Sequence, residues 1–280
     1  MIKRIFGASF IAALALPAAV NAGPITTGWV NNATAGAPII QQFDLTTGVV
    51  LKEFTAPHGS NGRGIVQVGD VVYYTSAGTN GVYAYNVATN TDLGTVFSVP
   101  GASGLATMAY DGTDFYIGDY SGTNNVYKYS TTGALLKTIQ LSQCTGYCDG
   151  LEYVNGHLIS NEGDANSTYD VYDLDGNLLQ NAFIVSPITS TGIAFDGTFY
   201  YTDNVFNSSF NVFDSSGNFL RTTSYVGGTY HLGEDLSVNY AARTDTGGVP
   251  EPSSWALMLS GFAMVGGALR AVRRTSISFA

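Results

Sequence analysis

The sequence predicts an all-β protein, a five-bladed β-propeller preceded by a signal peptide and followed by a C-terminal membrane helix. Two observations predict the propeller: an aromatic residue recurs every 41–44 residues, and a hairpin turn recurs in step with it. A third observation, an apolar segment at each end, predicts the signal peptide and the membrane helix. The predicted domains are therefore residues 1–22, 23–245 and 246–280.

The composition excludes several classes of function. Only 11% of the 280 residues are charged and 45% are hydrophobic, which is typical of a folded chain. The net charge is −10, and it is −14 over residues 23–249, where 6 Lys and Arg face 20 Asp and Glu. This balance disfavours nucleic acid as a partner, because affinity for phosphates comes from clustered Lys and Arg. Three histidines and two cysteines leave little for a zinc site or a disulfide scaffold.

The first 22 residues have the three parts of a secretory signal. Two basic residues precede a mostly apolar run over residues 5–20, and the small Val20 and Ala22 occupy the positions that signal peptidase reads. We expect cleavage after Ala22 and export across the inner membrane.

The middle of the chain contains an internal repeat. Aromatic residues that precede a turn stand at Phe43, Tyr85, Tyr129, Tyr172 and Phe213, with spacings of 42, 44, 43 and 41 residues. A pair of glycine with Asp or Asn keeps step, at residues 69–70, 111–112, 155–156 and 196–197. Since glycine reaches the positive φ of hairpin turns, each unit supplies several short antiparallel strands, as a propeller blade does.

The count of aromatic residues predicts five blades, and the ends of the repeat region predict how the ring closes. Residues 28–32 resemble a later strand of a blade that lacks its first strand, and residues 234–238 resemble a first strand. Pairing of these two segments would complete one blade and remove exposed sheet edges. A six-bladed ring stays the alternative, although it needs about 40 more residues unless one blade is degenerate.

Residues 192–203 and 211–220 resemble an NHL repeat. The resemblance extends over most of the mature chain, with its best copies in residues 104–220. NHL propellers bind proteins, RNA or small molecules, and a few relatives are lyases or lactonases. The basic residue usual before the aromatic strand occurs here only as Lys128. The resemblance therefore implies the fold and leaves the activity open.

The C-terminal segment contains three features in order. A Pro250-Glu251-Pro252 motif comes first, the apolar run Trp255–Leu269 follows, and Arg270, Arg273 and Arg274 come last. The run is shorter than the ~20 residues of a spanning helix, but the next two residues lengthen it if Arg270 reaches back to the headgroups. By the positive-inside rule, the arginines stay cytoplasmic and the rest of the mature chain lies outside.

This tail resembles the PEP-CTERM sorting signal of Gram-negative bacteria. The resemblance implies recognition by an exosortase, a membrane cysteine protease that removes the tail and releases or transfers the protein outward. Pro250, Glu251 and Pro252 would be the sorting motif, and the three arginines would be the membrane stop. A permanent C-terminal anchor is the alternative.

Candidate binding residues are those just before the predicted innermost strand of each blade, because these positions surround one end of the channel. They are Arg63, Ser103, Asp149, Thr191 and Glu234. They differ from blade to blade, whereas the next residue is glycine in four blades and aspartate in the fifth. A functional position is expected to depart from a structural repeat in this way.

Asp149 and Glu234, with His231 nearby, are candidate catalytic carboxylates for the hydrolysis of a glycoside or an ester. The opposing interpretation is that these acids are solvated at an exposed rim and have no catalytic role. Residues 173–176 are predicted to form a hairpin turn, since they lack the bidentate Glu of a calcium loop. No metal or cofactor is predicted, although calcium binding by Asp149, Glu234 and Asp235 stays open.

Cys144 and Cys148, next to Asp149, are separated by three residues. Because exported proteins mature where thiols oxidise, we predict a local disulfide between them. The spacing differs from that of redox and haem-attachment motifs.

These features together predict an exported, transiently membrane-anchored propeller that acts as a non-enzymatic binding or structural protein. We expect it at the cell surface or in the extracellular polysaccharide matrix. Signal peptidase and exosortase are the expected partners during export, and polysaccharide or another surface protein is the expected partner afterwards. The alternative is a secreted hydrolase or lyase that uses the channel-rim carboxylates.

Overall fold

The computed structural model describes residues 24–243 except residues 34–35, 37, 121–122, 145–147, 163–167 and 230–231. These residues form five antiparallel sheets of four strands each, arranged as the blades of a β-propeller. The prediction of five blades is confirmed, and the six-bladed alternative is wrong. Each blade runs from an inner strand at the central channel to an outer strand at the periphery.

The strands follow one another from the inside to the outside of the blades. The three outer strands of blade 1 are β1 (Thr27–Asn32), β2 (Ile39–Asp44) and β3 (Val50–Thr55). Blade 2 contains β4 (Gly62–Val68), β5 (Val71–Ser76), β6 (Gly81–Asn86) and β7 (Thr91–Ser98). Blade 3 contains β8 (Leu105–Tyr110), β9 (Asp114–Asp119), β10 (Asn125–Ser130) and β11 (Leu135–Gln140).

The second half of the ring repeats this order. Blade 4 contains β12 (Cys148–Val154), β13 (His157–Glu162), β14 (Thr168–Tyr172) and β15 (Leu178–Val185). Blade 5 contains β16 (Ile193–Phe195), β17 (Tyr200–Asn204), β18 (Ser209–Phe213) and β19 (Phe219–Ser224). The inner strand of blade 1 is β20 (Gly233–Val238), from the other end of the repeat region.

The ring closes by pairing of the first and last strands. β1 is antiparallel to β20, with Gly28 opposite Val238 and Val30 opposite Leu236. This pairing covers one edge of each strand and confirms the closure that the sequence predicts.

The hydrophobic core is divided among the spaces between neighbouring blades, with one cluster of buried side chains at each interface. Four of the repeating aromatic residues, Phe43, Tyr129, Tyr172 and Phe213, are buried in these clusters, and Tyr85 packs against a fifth cluster. Burial of one such side chain contributes about 1.5–3 kcal/mol. The aromatic residues that repeat in the sequence therefore form part of the core between neighbouring blades.

The turns have the chemistry that the sequence predicts. Asn155 and Gly156 have φ values of 49° and 84°, as a two-residue hairpin between β12 and β13 requires. Asp173 Oδ1 accepts hydrogen bonds from the backbone N–H groups of Asp175 and Asn177, both at 2.9 Å. Residues 173–176 therefore form a hairpin turn, as predicted.

The inner strands approach one another closely where glycine replaces a side chain. A Cβ atom on Gly150 would lie 2.2 Å from the carbonyl oxygen of Thr191, and one on Gly192 would lie 2.4 Å from Asp235 Cα. The glycines that follow the candidate residues therefore bring neighbouring inner strands together. This contact gathers the residues in front of them at one end of the channel.

The chain after β20 packs against the opposite end of the channel. Asn239 Oδ1 accepts a hydrogen bond of 2.9 Å from the N–H of Gly69, just beyond β4. A single 3-10 turn, Tyr240–Ala242, follows it. Arg243, the last described residue, forms a fully buried ion pair with Glu152 of β12.

Candidate ligand-binding site

A cavity of about 470 Å³ opens at the end of the channel where the inner strands begin. Its volume is typical of small-molecule sites, which range from about 300 to 1,000 Å³. The polar part of its lining consists of Asn61, Arg63, Asp149, Thr189, Thr191 and Glu234. The structure thus brings together four of the five candidate residues from the sequence.

Apolar and aromatic side chains form the rest of the cavity wall. They are Ala33, Tyr120, Val205, Phe206 and Leu232. Phe206 is 75% exposed and Leu232 is 40% exposed. A polar floor beside an exposed aromatic wall is the usual arrangement of a site that holds a ligand with both apolar and polar parts.

The charged candidates lie inside strands rather than before them, which corrects the sequence prediction. The second residues of β4, β12 and β20 are Arg63, Asp149 and Glu234, respectively. Their exposed fractions are only 8%, 7% and 6%. In β4 the register shifts between Gly62 and Ile65, as in a β-bulge, which lets the strand extend to include Arg63. The expectation of solvated acids on an exposed rim is therefore wrong, since the cavity wall covers them.

Ser103 occupies a different place from the other candidates. It is exposed, and it lies two residues before β8. In blade 3, the residue that lines the cavity is Tyr120, and its backbone N–H donates to the carbonyl of Gly104 at 3.1 Å. The structure therefore places Tyr120, and not Ser103, in the cavity wall.

Arg63 links two sides of the cavity. Its Nη1 atom lies 2.7 Å from Glu234 Oε1, and its Nη2 donates to the Tyr120 hydroxyl at 3.2 Å. The guanidinium carbon also lies 4.7 Å from the centre of the Tyr120 ring, a cation–π distance. These contacts hold the planar guanidinium in one orientation before any ligand arrives.

Burial dominates the electrostatics of the cavity floor. It raises the pKa of Glu234 to about 8, with the negative charge of Asp149 acting in the same direction and Arg63 opposing. Burial likewise raises the pKa of Asp203, in β17 behind the cavity, to about 7, against a hydrogen bond of 2.9 Å from the Tyr225 hydroxyl. The negative charge of Asp149 therefore contributes to the raised pKa of Glu234, as neighbouring groups in one site do.

Part of the hydrogen-bonding capacity of the polar lining is unused within the described part of the chain. Asn61 Oδ1, Arg63 Nε and Thr191 Oγ1 are buried side-chain atoms without a hydrogen-bond partner there. Most buried polar atoms in proteins are paired, so a ligand or ordered water would satisfy these three atoms of the lining.

Asp235 is separated from the two cavity carboxylates, although it follows Glu234 in sequence. Its Oδ2 accepts a hydrogen bond of 2.9 Å from Thr107 Oγ1, and its Oδ1 accepts one of 3.0 Å from the N–H of Leu236. Successive residues of a strand point to opposite sides, which directs Asp235 into the channel wall. Among the residues that the structure describes, no group of three His, Cys, Asp or Glu side chains is arranged to hold a metal ion.

The remaining predicted residues lie beside the cavity or outside the described residues. Cys144 and Cys148 form a disulfide next to Asp149, and both are 2% exposed. His231 is not among the described residues. The signal peptide, the sorting motif, the predicted membrane helix and its arginines also lie outside them. Within the described ranges, no helix is long and apolar enough to cross a membrane.

The sequence reasoning missed the apolar half of the site. Tyr120 is the first residue after β9 and Phe206 is the second residue after β17, so each follows the second strand of its blade. The sequence contains this signal, because Tyr120 lies one residue after Asp119 and Phe206 lies three residues after Asp203, and both aspartates lie at or next to the end of an aromatic strand.

Comparison with known proteins identifies the C-terminal segment. Residues 248–274 match the PEP-CTERM protein-sorting motif, in agreement with the resemblance seen in the sequence. This motif implies that the protein is exported, anchored at the membrane during sorting and processed by exosortase. No curated protein matches this chain.

Two solved structures are similar to the chain in fold. One is described as the crystal structure of a nidogen/laminin complex, with a TM-score of 0.54 and 12% identity over 77% of this chain and 99% of the other. The second is a protein of unknown function from Bacteroides caccae, with a TM-score of 0.52 and 11% identity over 78% of this chain and 100% of the other. At these identities the likeness concerns the fold alone. This chain is therefore a five-bladed β-propeller that carries a PEP-CTERM sorting motif and is exported for processing by exosortase.

Proposed function

We propose that the mature propeller is a non-enzymatic binding protein at the cell surface or in the extracellular polysaccharide matrix, and that it holds its ligand in the channel-end cavity. The observation that carries this proposal is the Arg63–Glu234 ion pair of 2.7 Å in the cavity floor, stacked on Tyr120. A charged pair fixed before binding loses little conformational freedom when a ligand arrives, which favours affinity.

The same pair argues against acid–base catalysis by Glu234. A general acid or base must exchange its proton with the substrate. The carboxylate of Glu234 instead lies against a guanidinium that stays charged at all ordinary pH values. The contact with Arg63 holds the Glu234 carboxyl group in one orientation, in which it can position a ligand.

A hydrolase or lyase is the second candidate, and one observation favours it. Asp149 and Glu234 line the same cavity, and the charge of Asp149 helps to raise the pKa of Glu234 to about 8. Two carboxyl groups in one cavity, one of them with a raised pKa, are the usual equipment of glycoside hydrolysis. His231 would be the third member of such a site.

The domain organisation belongs to the same proposal. Residues 1–22 are a signal peptide removed after Ala22, residues 23–245 are the propeller, and residues 246–280 are the sorting tail with its membrane helix. Intact-mass measurement and N-terminal sequencing of the secreted protein test these boundaries. A mature N-terminus at Gly23 is expected, and an uncleaved N-terminus contradicts the signal peptide.

Binding and turnover are distinguished by one experiment on intact cells. The processed protein is added to washed cells of its host, and both the co-sedimenting fraction and the release of reducing ends are measured. We expect retention that Arg63→Met weakens, without released sugar. Release of reducing ends that Glu234→Gln abolishes would establish the enzyme instead. Equal sedimentation of the parent and Arg63→Met would contradict a binding role for this cavity.

A further inference from the structure

The polar lining of the cavity mixes donors and acceptors. Arg63 only donates, Glu234 accepts when ionised, and Asn61 and Thr191 do both. Among the described residues, Asn61 Oδ1, Arg63 Nε and Thr191 Oγ1 lack partners, so this lining has unused donors as well as unused acceptors. A hydroxyl group can donate and accept at once. A ligand with several hydroxyl groups therefore suits this lining better than an ammonium group, which only donates, or a phosphate, which only accepts.

The charge around the cavity disfavours an anionic ligand. The lining contains two carboxyl groups, Asp149 and Glu234, and one guanidinium, Arg63. The domain that surrounds it has a net charge of −14 over residues 23–249, from 6 basic and 20 acidic residues. Such a field repels sulfated, phosphorylated and uronate ligands.

The aromatic wall favours a ring-shaped ligand. Phe206 is 75% exposed, the largest exposed fraction among the large apolar side chains in the described part of the chain, and it lines the cavity. Sugar rings have apolar C–H faces and polar hydroxyl edges. Such a ring can cover Phe206 with one face while its edge reaches the polar floor, as small-molecule sites commonly combine apolar walls with a few polar groups.

We infer that the cavity binds a neutral sugar ring, with one face against Phe206 and its hydroxyl groups toward Glu234 and Thr191. The inference rests on the proposed binding function and names the ligand class of that site. The ring is either a free monosaccharide or the end unit of a polysaccharide, and the two sources present the same chemistry to the cavity.

The test uses the full chain in micelles of a polyoxyethylene detergent, since maltoside and glucoside detergents would compete. The probes are glucose, galactose, mannose and N-acetylglucosamine, each as a free sugar and as a neutral oligosaccharide. Glucuronate and choline serve as the anionic and cationic probes. Calorimetry measures affinity, and thermal unfolding measures stabilisation. We expect at least one neutral sugar to bind and both charged probes to fail.

Phe206→Ala tests the stacking contact. We expect it to weaken binding of the neutral sugar about tenfold, which corresponds to ~1.4 kcal/mol. Phe219→Ala is the matched control, because Phe219 is also exposed, at 47%, but lies on the outer strand β19. Equal losses in the two variants, or no loss in Phe206→Ala, would overturn the inference.

Thr191→Val tests the hydroxyl contact without changing shape. Its Oγ1 has no partner within the described chain, so loss of the hydroxyl should not lower the thermal stability of the free protein. We expect sugar affinity to fall about fivefold. Thr75→Val is the control, since Thr75 Oγ1 is likewise buried and unpaired there but Thr75 does not line the cavity. Unchanged affinity in Thr191→Val would contradict the proposed pose.

The outcomes separate this inference from the proposed function. If choline or glucuronate binds in a Phe206-dependent way and no neutral sugar does, the binding function stands and the ligand class is wrong. If an oligosaccharide binds and is cleaved, the non-enzymatic function fails while the ligand class stands. Binding of oligosaccharides but not monosaccharides identifies a chain end as the ligand. The inference is overturned if no neutral probe binds.

Discussion

Arg243 Nη1 lies 2.9 Å from Glu152 Oε1 at the end of the channel opposite the cavity, and neither side chain is exposed. Glu152 Oε2 also accepts the N–H of Phe195 at 2.9 Å, and Arg243 Nη2 donates to the carbonyl of Tyr153 at 2.8 Å. A buried ion pair is tolerated only when such additional hydrogen bonds satisfy both groups. The last described residue is thereby held to the inner strand of blade 4.

Removal of Arg243 should destabilise the propeller strongly. Arg243→Met leaves the carboxylate of Glu152 buried without its ion-pair partner, so we expect the free energy of unfolding to fall by about 3–5 kcal/mol. The double variant Arg243→Met with Glu152→Gln should recover part of this loss, because glutamine is neutral and its amide oxygen can still accept from the Phe195 N–H. Urea unfolding followed by tyrosine fluorescence measures both. A double variant no more stable than Arg243→Met would show that the pair acts through packing rather than charge.

The stability of the propeller should decrease as the pH rises from about 4 to 8. Burial raises the pKa of Asp203 to about 7 and that of Glu234 to about 8, above their ordinary values of 3.8 and 4.5. Over this interval the folded chain binds more protons than the unfolded chain, so each pH unit reduces the free energy of unfolding. Hydrogen bonds lower the pKa of Asp44 and, against the effect of burial, that of Asp111. The stability that these two carboxylates contribute is lost only as the pH falls below this interval.

Asp203→Asn tests this pH dependence. An asparagine can still accept the hydrogen bond from the Tyr225 hydroxyl, but it does not ionise. We expect the fall in melting temperature between pH 5 and pH 8 to become smaller in this variant. An unchanged dependence would show that Asp203 does not titrate in this range. Asp173→Asn, at an exposed turn, is the control that should leave the dependence above pH 5 unchanged.

The disulfide between Cys144 and Cys148 should form in the exported protein and contribute modestly to its stability. A five-residue ring removes little loop entropy, so reduction should cost no more than about 2 kcal/mol. Mass spectrometry after alkylation, without prior reduction, counts the free thiols. We expect none in protein made in the periplasm, and two modified cysteines would refute the assignment. Because Cys148 adjoins Asp149 of the cavity lining, we also expect reduction to alter ligand affinity.

Replacement of Pro250 and Pro252 by alanine should block removal of the tail without affecting export. Proline disfavours helix in the residue before it, so the motif keeps the chain extended ahead of Trp255, where a protease can bind it. In a host with the sorting protease, uncut protein should accumulate in the inner membrane. Fractionation and intact-mass measurement show the outcome. Cutting at the parental rate would mean that the prolines are not the recognition element.

Replacement of Arg270, Arg273 and Arg274 by serine should have a different effect. The arginines hold the end of the predicted membrane helix on the cytoplasmic side, because cationic residues resist translocation. Their loss should weaken membrane retention before cutting, so that full-length protein with an intact tail appears outside the cell. The difference between the two sets of variants separates recognition from anchoring.

The repeat and the sorting motif were readable from the sequence because each depends on local chemistry. The aromatic residues Phe43, Tyr129 and Phe213 recur at a constant spacing, since every blade must bury the same face against its neighbour. Hairpin turns need glycine, asparagine or aspartate at fixed positions, and Asn155-Gly156 shows this in the backbone angles. The pairing of β1 with β20 was predictable because residues 28–32 belong to a blade without its first strand, and residues 234–238 resemble a first strand.

The composition of the cavity depended on contacts that no spacing encodes. Arg63 and Glu234 are 171 positions apart, and only the closed ring places their side chains 2.7 Å from each other. Tyr120, the first residue after β9, takes the wall position expected for Ser103, and its backbone N–H donates to the carbonyl of Gly104. The exposed face of Phe206 and the burial of the acids likewise arise from packing between blades. Local sequence specifies turns and strand faces, whereas burial and ionisation are set by the neighbours that the tertiary fold supplies.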